Sequence, residues 1–179
     1  MPSKLTLSVF SENHVGLLAR VTSVFTRRSV NIESLTVSES EVSGIHRFTI
    51  VAFLTRDLAD KMAAQIEKQV EVIKAFVHDE HEVIHRDLAL YKIERQHGEH
   101  AGTMRDILQA HGARELSVED DFSVVEKTGS ADEIASLLTA LEPFGVLEFV
   151  RSGSVALTRP MKKLSAFLRE LEDAHAASL

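Results

Sequence analysis

A short polar loop near the start of the chain carries the residues best suited to bind a small molecule. The loop reads Glu12-Asn13-His14, and Gly16 follows after one apolar residue. An apolar strand is predicted before the loop and an amphipathic helix after it, so the loop presents the N-terminus of a helix. Free backbone N–H groups and the positive end of the helix dipole favour a carboxylate at such a position. These residues therefore indicate a niche for a small anionic group.

Asn13 and Gly16 each have two interpretations that the sequence leaves open. Asn13 can cap the following helix, and its amide can also bind a ligand. Gly16 can be a glycine required for packing, or its missing Cβ can let a ligand or a neighbouring chain approach the backbone closely. The two interpretations of each residue require different contacts, which a structure distinguishes.

Nine histidines raise the question of a metal centre. Three of them, His78, His81 and His85, lie among acidic residues in a segment predicted to join two strands. Residues three apart point to opposite faces of a strand, so a solvated connection between domains is the favoured interpretation. The absence of cysteine excludes disulfides, thiolate metal sites and Cys–His nucleophiles. Because the HExxH, GxSxG, GxxxxGK[ST] and GxGxxG motifs are also absent, no catalytic residue and no metal site are predicted.

Composition is ordinary for a globular protein. The chain has 179 residues, 44% of them hydrophobic and 26% charged, which fits one domain or two small ones. Its net charge of −7 argues against nucleic-acid binding through a basic patch. The apolar run at the N-terminus is too short for a signal peptide, and no stretch approaches the roughly 20 apolar residues that span a bilayer. We expect a soluble, cytoplasmic protein with no membrane or nucleic-acid partner.

Hydrophobic periodicity predicts the same order of elements in both halves of the chain. The elements predicted for the first half are strand Leu5–Phe10, helix Val15–Arg28, strands Ile32–Ser38 and His46–Leu54 paired as a hairpin, a helix from Asp57, and strand Val70–Val77. Those predicted for the second half are strand Val83–Glu94, loop Gln96–Gly102, helix Thr103–His111, strands Ala113–Val118 and Phe122–Lys127, a helix opened by a Ser130–Glu133 capping box and ended at Pro143 and Gly145, and strand Val146–Val150. The fold class is therefore α+β, with two tandem ferredoxin-like βαββαβ units.

The predicted domain limits are residues 1–80, residues 81–159, and a C-terminal amphipathic helix in residues 160–179. That helix has an apolar face made by Leu164, Phe167, Leu168 and Leu171.

Two predicted strands, His46–Leu54 and Val70–Val77, are apolar on both faces, which has a consequence for assembly. In His46–Leu54, Phe48 and Ile50 have one parity, while Val51 and Phe53 have the other. Right-handed crossovers place both helices of a βαββαβ unit on one face of the sheet, so an isolated unit would have a polar second face. We therefore predict that both faces are buried, against the second half or another subunit, and that the protein forms a homodimer.

Three segments resemble a known family. Residues 12–21, ENHVGLLARV, are similar to the opening motif of ACT domains, which sense small molecules in amino-acid metabolism. Residues 25–37, FTRRSVNIESLTV, resemble more specifically the small, regulatory subunit of acetolactate synthase, also called acetohydroxyacid synthase (AHAS). Residues 149–153, FVRSG, are similar to a motif in the C-terminal domain of that family. The resemblance covers about residues 3–159 and implies an N-terminal ACT domain followed by a C-terminal ACT-like domain.

The resemblance also implies an effector site with feedback inhibition. Its residues are the loop and first helical turn, Asn13, His14, Val15, Gly16, Leu17 and Leu18, completed by Asn31 and Ile32 from a second subunit across an ACT–ACT interface. The implied effector is a branched-chain amino acid, with valine expected first. Ser29 stands where the family commonly has glycine, so a positive φ at this position would strain the serine and change the effector affinity.

The resemblance assigns catalysis to a separate large subunit in branched-chain amino-acid biosynthesis. Thiamine diphosphate, Mg and FAD are expected on that subunit, and no cofactor is expected in this chain. The implied partners are the large subunit, the amino-acid effector and a second copy of this chain. The alternative is a free-standing tandem-ACT regulator of another enzyme or of a transcription factor, and capture of a large thiamine-dependent partner would separate the two hypotheses.

Overall fold

A computed structural model of the chain describes residues 1–159 and residue 169. The predicted C-terminal helix in residues 160–179 thus lies outside the described residues, apart from Arg169. The described residues form two compact units, residues 1–84 with 156–159 and residues 85–155. None of the helices in this part of the chain is long and apolar enough to cross a membrane. The predicted domain limits stay predictions.

The first unit is a four-stranded antiparallel sheet with two helices. Its elements are β1 (Ser3–Glu12), α1 (Leu17–Thr26), β2 (Ser34–Glu39), β3 (Ile45–Leu54), α2 (Arg56–Ile66) and β4 (Val72–Asp79). The strand order is β2-β3-β1-β4, and β2 pairs with β3 as the predicted hairpin. Because β1 is an inner strand, the loop after it follows a strand that pairs with a neighbour on each side.

Strand β1 is buried on both faces. Leu5, Leu7 and Val9 belong to the core that includes residues of both helices, and Thr6, Ser8 and Phe10, which have the opposite parity, are at most 1% exposed. Two-sided burial is thus present at the centre of this sheet, in a strand for which the sequence had not predicted it.

The apolar pattern of the flanking strands was less reliable. Val51 is buried on the second face of β3, but Phe53 is 58% exposed. Val70, predicted to open β4, is 97% exposed and lies in the turn before the strand. An apolar residue at the end of a strand has fewer neighbours to cover it, so parity alone does not ensure burial.

The second half of the chain repeats the order of elements. They are β5 (Val83–Glu94), α3 (Gly98–Ala110), β6 (Arg114–Val118), β7 (Phe122–Gly129), α4 (Ala131–Leu141), β8 (Val146–Arg151) and β9 (Val155–Thr158), with 3₁₀ turns at Glu80–Glu82 and Glu142–Phe144. The Glu80–Glu82 turn and nearly all of β9 belong to the first unit. The strand order is β6-β7-β5-β8, and β9 also pairs with β5. The predicted fold class, two βαββαβ units in an α+β protein, is confirmed.

Three details of the second half of the chain bear on the predictions. The capping box is present, since Ser130 Oγ accepts from the Glu133 amide at 3.3 Å and the Glu133 carboxylate accepts from the Ser130 amide at 2.7 Å. The predicted loop Gln96–Gly102 is wrong because α3 begins at Gly98. The carboxylate of Glu99 in the first turn interacts favourably with the positive end of the helix dipole, and Thr103 Oγ1 donates to the Glu99 carbonyl. Strand β9 is four residues long and was not predicted.

Tyr91 anchors the core of the second unit. Its side chain is fully buried, its hydroxyl donates to the Ile134 carbonyl at 2.9 Å, and its ring centroid lies 5.2 Å from that of Phe149. Burial raises the pKa of Tyr91 to about 12, because the charged phenolate is disfavoured away from water.

Helix α1 ends in a left-handed turn at Ser29. The Val30 amide donates to the Phe25 carbonyl at 3.1 Å and the Ser29 amide to the Thr26 carbonyl at 3.0 Å, which is the hydrogen-bond pattern of a Schellman motif. Ser29 has φ 52°, the one positive φ of a non-glycine residue in the described part of the chain. The conformation that the sequence analysis identified as a source of strain is therefore present.

Replacement of Ser29 by glycine should stabilise the protein. A left-handed conformation costs a residue with a Cβ roughly 1–2 kcal/mol, and the greater freedom of glycine in the unfolded chain offsets part of this gain. We expect Ser29→Gly to raise the free energy of unfolding by about 0.5–1 kcal/mol in a denaturant titration. The matched control is Ser23→Gly inside α1, which should lower it by about 0.5 kcal/mol because glycine is a poorer helix former than serine. Equal losses in both variants would contradict a left-handed Ser29.

Candidate functional site

The loop between β1 and α1 is held at both ends by backbone hydrogen bonds. The Glu12 amide donates to the Glu71 carbonyl at 2.9 Å, and the Asn13 amide to the Gly44 carbonyl at 3.3 Å. At the other end, the Leu17 amide donates to the His14 carbonyl at 3.2 Å. The loop therefore has a defined path into the first turn of the helix.

The N-terminus of α1 has no side-chain cap. The residue at the capping position is Gly16, with φ 82° and ψ −7°, and no side chain bonds to the first turn. The interpretation of Asn13 as the helix cap is therefore wrong, since the helix begins four residues after it. Within the described part of the chain, the amides of Leu18 and Ala19 donate to no carbonyl, and the first turn contains no acidic residue. These two amides are free to bind an anion.

Gly16 is open to approach. A Cβ built on it would meet no atom within 4 Å, so the interpretation of Gly16 as a glycine required for packing is wrong. Its left-handed φ is the reason that a glycine suits this position. The backbone at the start of α1 can therefore be reached closely by a ligand or by another chain.

The predicted site residues of the loop divide into exposed and buried ones. Asn13, His14, Val15, Gly16 and Leu18 are exposed, with Val15 97% and Leu18 46% exposed. Leu17 is 2% exposed and belongs to the core of the first unit. Leu17 therefore anchors the helix through its side chain, and only its neighbours present side chains to a ligand.

Asn31 and Ile32 lie at the other end of α1 from the loop. Asn31 is exposed, and Ile32 is half-buried against the core of the first unit. A helix of 10 residues is about 15 Å long, so within one chain these residues and Asn13–Leu18 do not form one site. That Asn31 and Ile32 complete the site from a second subunit remains a prediction.

Sequence reasoning missed a charged cluster beside the loop. Glu71 Oε1 lies 2.7 Å from Arg20 Nη2 and 3.7 Å from His14 Nδ1. The hydrogen bond from Arg20 lowers the pKa of the Glu71 carboxyl and keeps it ionised. Glu71 is far from the loop in sequence, so no local spacing reveals the contact. The charge of Arg20 gave no signal either, because the predicted helix Val15–Arg28 places Arg20 beyond its first turn.

The histidine-rich connection between the two halves has a structural role. The Glu80–Glu82 turn is held by a capping box, in which the Asp79 amide donates to the Glu82 carboxylate at 2.8 Å. His78 stacks on Phe76 with ring centroids 6.2 Å apart. Among the described residues, no group of three or more His, Cys, Asp or Glu could hold a metal ion.

The sequence of the first unit identifies the chain as an ACT-domain protein. Residues 7–74 match the family model for the AHAS small subunit-like ACT domain, and residues 86–160 match that for the small subunit of acetolactate synthase.

Relatives in the same family match most of the length of the chain. The chain is 39% identical to the acetolactate synthase small subunit of Mycobacterium leprae, over 86% of this chain and 90% of the relative. It is 32% identical to the corresponding Bacillus subtilis protein, over 87% and 89%. The crystal structure of the Thermotoga maritima small subunit superposes with a TM-score of 0.80 and 26% identity, covering 89% of this chain and 99% of that one. The chain belongs to the acetolactate synthase small-subunit family, which confirms the resemblance drawn from residues 12–37 and 149–153.

The left-handed backbone of Gly16 leads to a stability test. A side chain at Gly16 meets no atom but must adopt a left-handed backbone, so Gly16→Ala should lower the free energy of unfolding by about 1 kcal/mol. Gly102 is the matched control, since it also has open space around its Cβ position but lies inside α3 without a positive φ. Gly102→Ala should raise the free energy of unfolding by about 0.5–1 kcal/mol. Chemical denaturation of both variants measures the difference, and a neutral Gly16→Ala would show that the left-handed turn is not required.

Proposed function

We propose that this chain is the regulatory subunit of an acetolactate synthase, which binds a branched-chain amino acid and modulates a separate catalytic subunit. The observation that carries the proposal is the uncapped, unobstructed start of α1 at Gly16, in a member of the small-subunit family. Valine is the proposed effector. Catalysis, with its thiamine diphosphate, Mg and FAD, is assigned to the large subunit, and this chain contributes none.

The geometry of the loop suits an α-amino acid. The free amides of Leu18 and Ala19 and the helix dipole provide an anchor for the carboxylate. Val15 and Leu18 provide exposed apolar surface for an aliphatic side chain. Because one methylene group is worth only about 1–3 kcal/mol in such a contact, weaker binding of leucine and isoleucine is expected beside valine.

A second copy of the chain is proposed to complete the site. Strand β2 lies at an edge of the first sheet, and the unpaired backbone groups of an edge strand favour pairing with another strand. A homodimer would bring Asn31 and Ile32 of one chain towards the loop of the other. This arrangement accounts for the presence of predicted site residues at opposite ends of one helix.

Asn13 provides the direct test of the site. Since Gly16 occupies the capping position, Asn13→Ala should leave the free energy of unfolding within about 0.5 kcal/mol of the parent. A lost hydrogen bond to a charged group is worth about 1.5–3 kcal/mol, so calorimetry with valine should show about a ten- to hundredfold weaker affinity. Gln109→Ala, which removes an exposed amide from α3, is the control and should bind as the parent does. Unchanged affinity in Asn13→Ala would remove this residue from the site.

Regulation is tested with the large subunit. The chain alone should produce no acetolactate from pyruvate, whereas its addition to the large subunit should change the rate, and valine should change it again. Linkage requires that the large subunit shift the valine affinity by the factor by which valine shifts the large-subunit affinity, with a coupling of about 1–3 kcal/mol. Identical valine affinity with and without the large subunit would refute this mechanism. Capture of a different enzyme or a transcription factor would instead support the free-standing regulator.

A further inference from the structure

The turn between α2 and β4 contacts the candidate effector loop through one residue, Glu71. Its backbone carbonyl accepts from Glu12, the last residue of β1, at 2.9 Å. Its carboxylate Oε1 lies 2.7 Å from Arg20 Nη2 in the first turn of α1 and 3.7 Å from His14 Nδ1 in the loop. Glu71 therefore contacts the residue before the loop, the loop itself and the helix after it.

The charges explain why this contact is needed. Arg20 places a positive charge in the first turn of α1, where the helix dipole is itself positive. No acidic residue of the first turn balances it, and the carboxylate of Glu71 does so from another element. The side chain of Glu71 is 14% exposed and that of Arg20 is 44% exposed, so the carboxylate is the shielded partner of the pair.

The pair is not arranged for maximum stability. Glu71 Oε2 is buried and has no hydrogen-bond partner in the described part of the chain. A buried polar atom without a partner reduces what an interaction contributes to folding. The main consequence of the contact is thus the placement of the loop and the first helical turn.

We propose that Glu71 and Arg20 are positioning residues of the effector site, whose ion pair holds the Asn13–Gly16 loop and the first turn of α1 in the conformation that binds the amino acid. The inference rests on the proposed function. Neither residue needs to touch the effector. The pair acts by fixing where the free amides of Leu18 and Ala19 and the side chains of the loop lie.

Two substitutions separate positioning from simple electrostatics. If the pair positions the loop, Glu71→Gln and Arg20→Gln should both weaken valine binding in calorimetry, each by about two- to thirtyfold. The double variant should lose no more than one single variant, since both remove the same contact. If only charge matters, Glu71→Gln should strengthen the binding of a carboxylate and Arg20→Gln should weaken it. Opposite shifts in the two single variants would therefore overturn the proposal.

A conservative variant and a matched control complete the experiment. Arg20→Lys keeps the charge and one hydrogen bond, so it should recover part of the affinity that Arg20→Gln loses. Lys61→Gln breaks the ion pair of Lys61 with Asp57, which has the same 2.7 Å separation but lies within α2, and it should bind valine as the parent does. Circular dichroism and the thermal midpoint establish that each variant is folded. Arg20 is 44% exposed, so its variants keep the core intact should Glu71→Gln fail to fold.

The outcomes distinguish this inference from the proposed function. A parent chain that binds none of valine, leucine and isoleucine would refute the proposed function. A parent that binds one of them, with unchanged affinity in the folded Arg20→Gln and Glu71→Gln variants, would refute the positioning role alone.

Discussion

Helix α1 lies between two residues with left-handed backbone, and the candidate site depends on this constraint. Gly16 turns the chain into the helix with φ 82°, and Ser29 turns it out with φ 52°. The turn at Gly16 leaves the first amides of the helix without a side-chain cap. The turn at Ser29 directs the chain towards Asn31, Ile32 and the edge strand β2. Both segments assigned to the effector are thus placed by the ends of one helix, whose apolar side packs against the sheet.

Both ends of α1 have a residue with a positive φ, but the residue types differ. Glycine accepts a positive φ without steric cost, whereas serine brings its Cβ close to the following carbonyl. The Schellman hydrogen bonds and the packing of Val30 against the core hold Ser29 in place despite this cost. At Gly16 the space around the backbone is open, while the end at Ser29 is fixed by its own contacts.

Local signals in the sequence predicted most of the fold. The bounds of β5, the β2–β3 hairpin and the capping box at Ser130 follow from periodicity and from side chains within a few residues of each other. The tandem βαββαβ order follows from the same signals. The loop predicted at Gln96–Gly102 failed because two glycines and polar residues outweighed a helix supported by tertiary context.

The site was predicted less completely, because part of it depends on contacts distant in sequence. The niche itself could be placed, since Gly16 and the helix after it are adjacent. The start of the helix could not be predicted, because Asn13 is a good capping residue but the helix begins only at Leu17. Arg20 precedes the β2–β3 hairpin in the sequence and Glu71 follows it. No local periodicity predicts an ion pair between residues so far apart.

The composition of the core gives the two units different optical properties. Tyr91 is the one tyrosine of the chain, which has no tryptophan, and it lies buried in the core of the second unit. Intrinsic tyrosine fluorescence therefore originates in the second unit alone, and the unit that contains the candidate site contributes none. An emission change caused by a ligand at the Asn13–Gly16 loop would have to be transmitted to Tyr91. The chain thus contains its own label-free reporter of communication from the first unit to the second.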